Sequence, residues 1–425
     1  MTEEETSASL EALVAAVERT RAAFDWEAAA SHAGQALARE DLSPETTFAL
    51  LDAQAEAHKR LGDLGAEETD LAAMARLAQE MADPERRVQV MLQQVDLCLR
   101  HGRLAESRGL ARAALDAARE QGAPSLEAAG LVALSRAHAQ ESHFAEGRDL
   151  AEQALARFRA IRHPFGEATA LLWLSIANSR QERVAEATAQ AEGALELFRR
   201  EGDREGEARS LNTLGILSSD VAQRRSCYEQ ALAAYEALGD RRGQAQVRNN
   251  LALTNQQVGL YALSANDAFA AVEVVRRMGA RIDLAYYLET LARAWLGRGD
   301  TDQAEVLFQE GLTLSREVGD TSVVGAYLFG LGRTAQVGGR LTEAVALYQQ
   351  AADCFEGLDI PTEHAICLAW LGAASLELGD VDTARALTAQ AVSVLEPAAG
   401  AASEYPPQEI WWCRYQALAA LGRSL

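Results

Sequence analysis

At 425 residues the chain is too long for one compact core and long enough for two or three ordinary domains. Its 8 prolines and 6% aromatic residues, set among abundant alanine, leucine, glutamate and arginine, favour helix over most of the length. A net charge of −22 disfavours nucleic acid and anionic membrane surfaces as partners. The odd, widely spaced set Cys98, Cys227, Cys354, Cys367 and Cys413, with no C-x-x-C pair, argues against a disulfide framework or a zinc site.

The first ten residues are acidic and polar, and no signal peptide or apolar spanning run follows them. The expectation is a cytoplasmic protein with buried free thiols. The first predicted helix pair, around residues 7–40, carries the weakest pattern and reads as a degenerate terminal unit. From there a period of 40 residues takes over. One column reads Leu51, Met91, Leu131, Leu171, Leu211, Leu288, Leu328 and Leu368. A second reads Leu134, Leu174, Leu214, Leu251, Leu291, Leu331 and Leu371, with Gln54 and Gln94 in its earliest places. The next residue is small or modest: Ala55, Val95, Ser135, Ser175, Gly215, Ala252, Ala292, Gly332 and Gly372.

The second helix of each pair has its own small column, Ser107, Gly147, Ala187, Ser264, Ala304, Ala344 and Ala384, with Arg224 as the exception. An Ala-Leu or Ala-Val pair follows, from Ala114-Leu115 to Ala391-Val392. Gly-Asp at 62–63, 202–203, 239–240, 299–300, 319–320 and 379–380 marks helix ends. The glycine suits a left-handed C′ position and the aspartate caps the next helix. In the sixth pair one step shrinks to 37 residues, which predicts a three-residue deletion in the turn near 217–220. After Pro397 the repeat stops. Residues 398–407 read as a linker and 408–425 as an amphipathic closing helix bearing Ile410, Trp411, Trp412, Tyr415, Leu418 and Leu421.

The L-x-x-L-G segment, the small residue of the second helix and its Ala-Leu pair resemble the tetratricopeptide repeat family. The 40-residue period is similar to the longer class found in kinesin light chains and in sensor superhelices of bacterial regulators and ATPases. The resemblance covers residues 7–397. It implies an all-α, right-handed solenoid of about ten antiparallel helix pairs plus a C-terminal capping helix, with the first helix of each pair lining a concave wall. The string Pro406-Pro407-Gln408-Glu409-Ile410-Trp411-Trp412 resembles the end of such arrays in large bacterial signalling ATPases and cyclases.

No motif for catalysis is legible. Lys59, the only lysine, follows His58 rather than a glycine, so there is no P-loop. It reads as a solvated surface side chain. No G-x-S-x-G elbow or H-E-x-x-H zinc motif occurs. His58 and His138 share a repeat column and read as packed core histidines, and His138 and His143 do not read as a metal pair. The expectation is a protein that binds, with no enzyme activity, cofactor or metal.

Within the implied architecture, the groove stripe falls five, two and one residues before the second leucine and two after it. The fourth pair contributes Arg136, and the fifth Thr169, Leu172, Trp173 and Ile176. The sixth supplies Arg209, Asn212, Thr213 and Ile216; the seventh Gln246, Asn249, Asn250 and Leu253. The eighth supplies Tyr286, Glu289, Thr290 and Arg293; the ninth Ala326, Phe329, Gly330 and Arg333. The tenth contributes Ile366, Ala369, Trp370 and Ala373. Asparagines can hold a peptide backbone from both sides, and Arg293 and Arg333 could pair with a carboxylate. The same side chains could equally serve the wall itself. The expected partner is a protein or peptide in the groove, with an acidic group. One alternative is a small-molecule or peptide-sensing superhelix of a transcriptional or signalling ATPase or cyclase, separated from its effector.

Overall fold

The computed structural model describes residues 9–40, 42–141, 143–358, 360–396 and 408–420. The predicted linker at 398–407 and the last residues of the predicted closing helix lie outside them. Ten helix pairs follow one another. They open with α1 (Leu10–Ala22) and α2 (Trp26–Leu37), then α3 (Pro44–Leu61) and α4 (Leu64–Glu80). Next come α5 (Pro84–Arg100) with α6 (Leu104–Glu120), α7 (Pro124–Gln140) with α8 (Phe144–Ala160), and α9 (Pro164–Ser179) with α10 (Val184–Glu201). The sixth and seventh pairs are α11 (Arg204–Leu217) with α12 (Val221–Ala237) and α13 (Arg241–Gln257) with α14 (Tyr261–Arg277). The last are α15 (Arg281–Gly297) with α16 (Thr301–Val318), α17 (Thr321–Val337) with α18 (Leu341–Gly357), and α19 (Pro361–Glu377) with α20 (Val381–Leu395). A single helix, α21 (Gln408–Ala419), ends the series. No strand occurs among the described residues, and none of their helices is long and apolar enough to cross a membrane.

The helix ends follow from local chemistry. All six glycines of the Gly-Asp pairs have positive φ, from 63° at Gly239 to 90° at Gly379. All six aspartates accept a backbone N–H of the next helix, as Asp63 does from Ala66 at 3.0 Å and Asp240 from Gly243 at 2.9 Å. Pro44, Pro84, Pro124, Pro164 and Pro361 sit in first turns, where the missing N–H costs nothing.

Within a pair the two small columns meet. Ser135 Oγ donates to the Gly147 carbonyl at 2.6 Å and Ser175 Oγ to the Ala187 carbonyl at 2.7 Å. At Gly215 and Gly332 the space is taken by rings: a Cβ there would lie 2.4 Å from Tyr228 and 2.7 Å from Tyr348. The sixth pair differs from the sequence expectation. Its connection, 218–220, is as long as that after α13, and the missing residues come from α11, which has 14 residues against 17 in α7 and α13. Arg224 serves this early end, donating from Nε and Nη2 to the Ser218 carbonyl at 3.0 and 2.7 Å.

The chain divides into two compact units. One comprises residues up to Thr254 with Val274–Ala280; the other comprises Asn255–Glu273 with Arg281 onwards. Within the second, Ile410 and Cys413 of α21 join the core formed by Tyr348, Phe355, Leu368 and Leu371. Among the thiols, Cys98, Cys367 and Cys413 are buried as expected, whereas Cys227 and Cys354 are only partly buried.

Candidate binding wall of the first unit

The first helices of successive pairs bring a chain of charged side chains together in the first unit. Lys59 Nζ lies 3.0 Å from Asp96 Oδ2, and Arg100 Nε lies 3.4 Å from the same oxygen. Arg136 bonds the other oxygen of Asp96. Burial pushes the Asp96 carboxyl up, but Lys59, Arg136 and Arg100 together hold it well below the usual carboxylate range. Arg100 also grips Glu67, its Nη1 donating at 2.7 Å. On α3, Arg60 Nη2 donates to Glu205 Oε2 of α11 at 2.6 Å, and Arg21 pairs with Glu56. Burial raises the Glu205 carboxyl, and Arg60 and Arg209 outweigh it, leaving it below its ordinary value. Between these side chains is a pocket of about 330 Å³ lined by Arg21, Asp52, Ala55, Glu56, Lys59, Arg60, Glu67, Gln93 and Asp96.

Trp173 of α9 continues the wall. Arg136 lies 4.7 Å and Arg209 5.5 Å from its ring centroid, both within cation–π range. Arg136 is thus tied at one end to Asp96. Arg209 is half-buried on α11; among the described residues no carboxylate lies within direct ion-pair distance of it, and Glu205 acts on it only through its field.

The sequence-derived stripe divides between the two units. In the first, Gln246 is exposed, and Asn250 Nδ2 donates to Asn212 Oδ1 at 2.9 Å. Asn212 and Asn249 are buried, and Asn249 Oδ1 has no hydrogen-bond partner. In the second, Tyr286 is exposed and its hydroxyl donates to Asp320 at 2.9 Å. Glu289 is buried with Arg293 Nη1 3.3 Å from it on the same helix. Phe329 is enclosed against Tyr348, with 2% of its surface exposed. Arg333 stacks 3.7 Å from the Trp370 centroid and lies 3.5 Å from Glu409 of α21.

Two columns are therefore largely misplaced: one before the second leucine, Thr213, Thr290 and Gly330 are buried. The residues two before the second leucine, Leu172, Asn212, Asn249, Glu289, Phe329 and Ala369, are all buried. The Asn250–Asn212 bond shows why: in this column the next first helix roofs the position over. In the columns five before and two after the leucine, Gln246, Tyr286 and Ile216 are exposed and Arg209, Arg136 and Arg293 half-buried, whereas Ile366 and Ala373 of the tenth pair are buried.

Sequence reading missed the pocket because Gln54 and Gln94 break the leucine pattern in the second and third pairs. Carried through those pairs, the column two after would have found Glu56 and Asp96. Lys59 is not merely solvated, since it pairs with Asp96. His58 is not a plain core histidine either. Its Nδ1 lies 2.6 Å from Asp70 Oδ2, and this hydrogen bond raises its pKa.

No family model matches the sequence, and no curated protein matches it. Solved structures share its fold. A Rap protein complexed with Competence and Sporulation Factor is 11% identical, with TM-score 0.59, over 84% of this chain and 99% of that one. The quorum sensor NprR from B. thuringiensis, in its apo form, is 13% identical, with TM-score 0.57, over 83% and 99%. A signal transduction ATPase with a tetratricopeptide repeat sensor, from Pyrococcus horikoshii, is 14% identical, with TM-score 0.54, over 84% of this chain and 53% of that one. With the period, the paired small columns and these likenesses together, the chain has the fold of a tetratricopeptide-type helical repeat solenoid.

Proposed function

We propose that this chain is a binding scaffold or sensor that grips a protein or peptide segment on the wall of its first unit, without turnover, in the cytoplasm. The observation that carries this reading is Arg209: a half-buried guanidinium beside Trp173 that senses Glu205 but makes no direct ion pair among the described residues, in a chain of net charge −22. Such a group favours a carboxylate supplied from outside. Trp173 offers the flat apolar contact beside it, and Gln246 offers an amide for a backbone. The Rap protein was solved complexed with Competence and Sporulation Factor and NprR is a quorum sensor, which supports a sensor that binds its signal on this fold. The five free cysteines fit a reducing compartment. A second reading, a sensor module working with a separate effector, draws on the likeness to the signal transduction ATPase, which extends over only 53% of that chain.

Selection from a random peptide display library tests the proposal. Enriched peptides should share an acidic residue or a free C-terminal carboxylate, and their amide counterparts should bind at least about tenfold more weakly. Enrichment of peptides without any carboxylate, or no enrichment, would overturn it.

A further inference from the structure

We infer that the first helix pair is a latch: it closes the first unit's turn across the charged pocket, and its release opens that pocket to a partner. Only the words "to a partner" rest on the binding reading above.

The closing contact joins segments that are remote in sequence. Trp26, the first residue of α2, is buried, and its Nε1 donates to the Leu238 carbonyl at 2.7 Å across 212 positions. Leu238 and Gly239 form the connection between α12 and α13. Gly239 has φ of 63°, and a Cβ on it would lie 3.0 Å from the Trp26 ring and 3.1 Å from the Phe24 carbonyl. Glycine is thus required there both for its backbone and for its lack of a side chain. Phe24 also takes a positive φ, 57°, which a phenylalanine rarely adopts, and it packs on the core around Leu238.

Charges complete the joint. Arg60 lies 5.6 Å from the Trp26 centroid, and its Nη1 is 3.5 Å from Asp240 Oδ2 while its Nη2 holds Glu205. At the rim, Arg241 Nη2 donates to Glu27 Oε1 at 2.6 Å. On the first pair this joint consists of one indole bond, one phenylalanine and an ion pair, with Arg60 and the packing of Met278 on Gly62 closing the turn beside it, so it is a contact of this unit suited to opening alone. Arg60 also lines the pocket, so a ligand that draws its guanidinium away from Glu205 and Asp240 loosens the latch.

Hydrogen exchange of the Trp26 indole N–H in 15N-tryptophan-labelled protein tests this, with the signal assigned by its loss in Trp26→Phe. In Arg60→Gln, and in wild type at about 0.5 M salt, where ion pairs are screened, exchange at that indole and at the amides of 238–243 should rise about tenfold or more. The amides of α7 to α9 should keep their rates. A bulky maleimide should label Ala55→Cys, in the pocket, about tenfold faster when Trp26→Phe is added, as read by peptide mass spectrometry. An even rise across the chain would make the contact ordinary packing and overturn the latch. So would unchanged exchange, or labelling that ignores Trp26. None of these readouts needs a peptide, so they stand apart from the display selection.

Discussion

Single residues explain both where the repeat pattern held and where it broke. Arg224 departs from a column of small residues because α11 stops early and its last carbonyls need a donor. Its role was not legible in the sequence, because the missing turn could have come from either the connection or the helix. Asp96 was passed over because it stands two places after a glutamine instead of a leucine. It is nevertheless the anion shared by Lys59, Arg100 and Arg136. Asp96→Asn leaves those cations without it and should cost about 3 kcal/mol in denaturant unfolding at neutral pH. Because the folded Asp96 pKa is depressed, its contribution is present above the unfolded value and is lost as pH falls through the folded one. The gap between variant and wild type should therefore narrow below about pH 4. A variant as stable as wild type at pH 7 would contradict this account of the cluster.

At the scale of helices, the Gly-Asp signals and the first-turn prolines specify starts and stops through backbone geometry alone, so these boundaries could be read from the chain. Which face of a first helix meets solvent could not, because Asn212 and Phe329 are covered by the helices that follow them. A helix at 408–419 matches the sequence expectation, but the face it buries does not: Ile410, Cys413 and Ala417 turn inward while Trp411, Trp412 and Tyr415 are exposed. Glu409 accepts from Trp370 Nε1 at 2.8 Å and sits beside Arg333, while Ile410 and Cys413 enter the core. Removing residues 408–425 should expose Leu371 and its neighbours, lower the melting temperature and promote aggregation. A monomeric truncation with an unchanged melting temperature would show that α21 does not cap the array.

At the scale of the whole chain, the 40-residue period carries the solenoid, since each pair needs only its neighbours to bury its apolar faces. The return of α2 onto the segment after α12 has no such local signature. It depends on small rotations accumulated over several pairs, which no single repeat records. Arg60 ties that turn to the pocket, while Arg209 and Trp173 stand on successive first helices, and the proposed function rests on that pair. The most direct measurement is calorimetric titration of a display-selected peptide onto wild type and Arg209→Ala, with thermal melts of both. Loss of one charge-assisted bond should weaken binding about tenfold to a hundredfold, with the variant still fully folded at the temperature of the titration. Equal affinity for the two proteins would contradict a binding site on this wall.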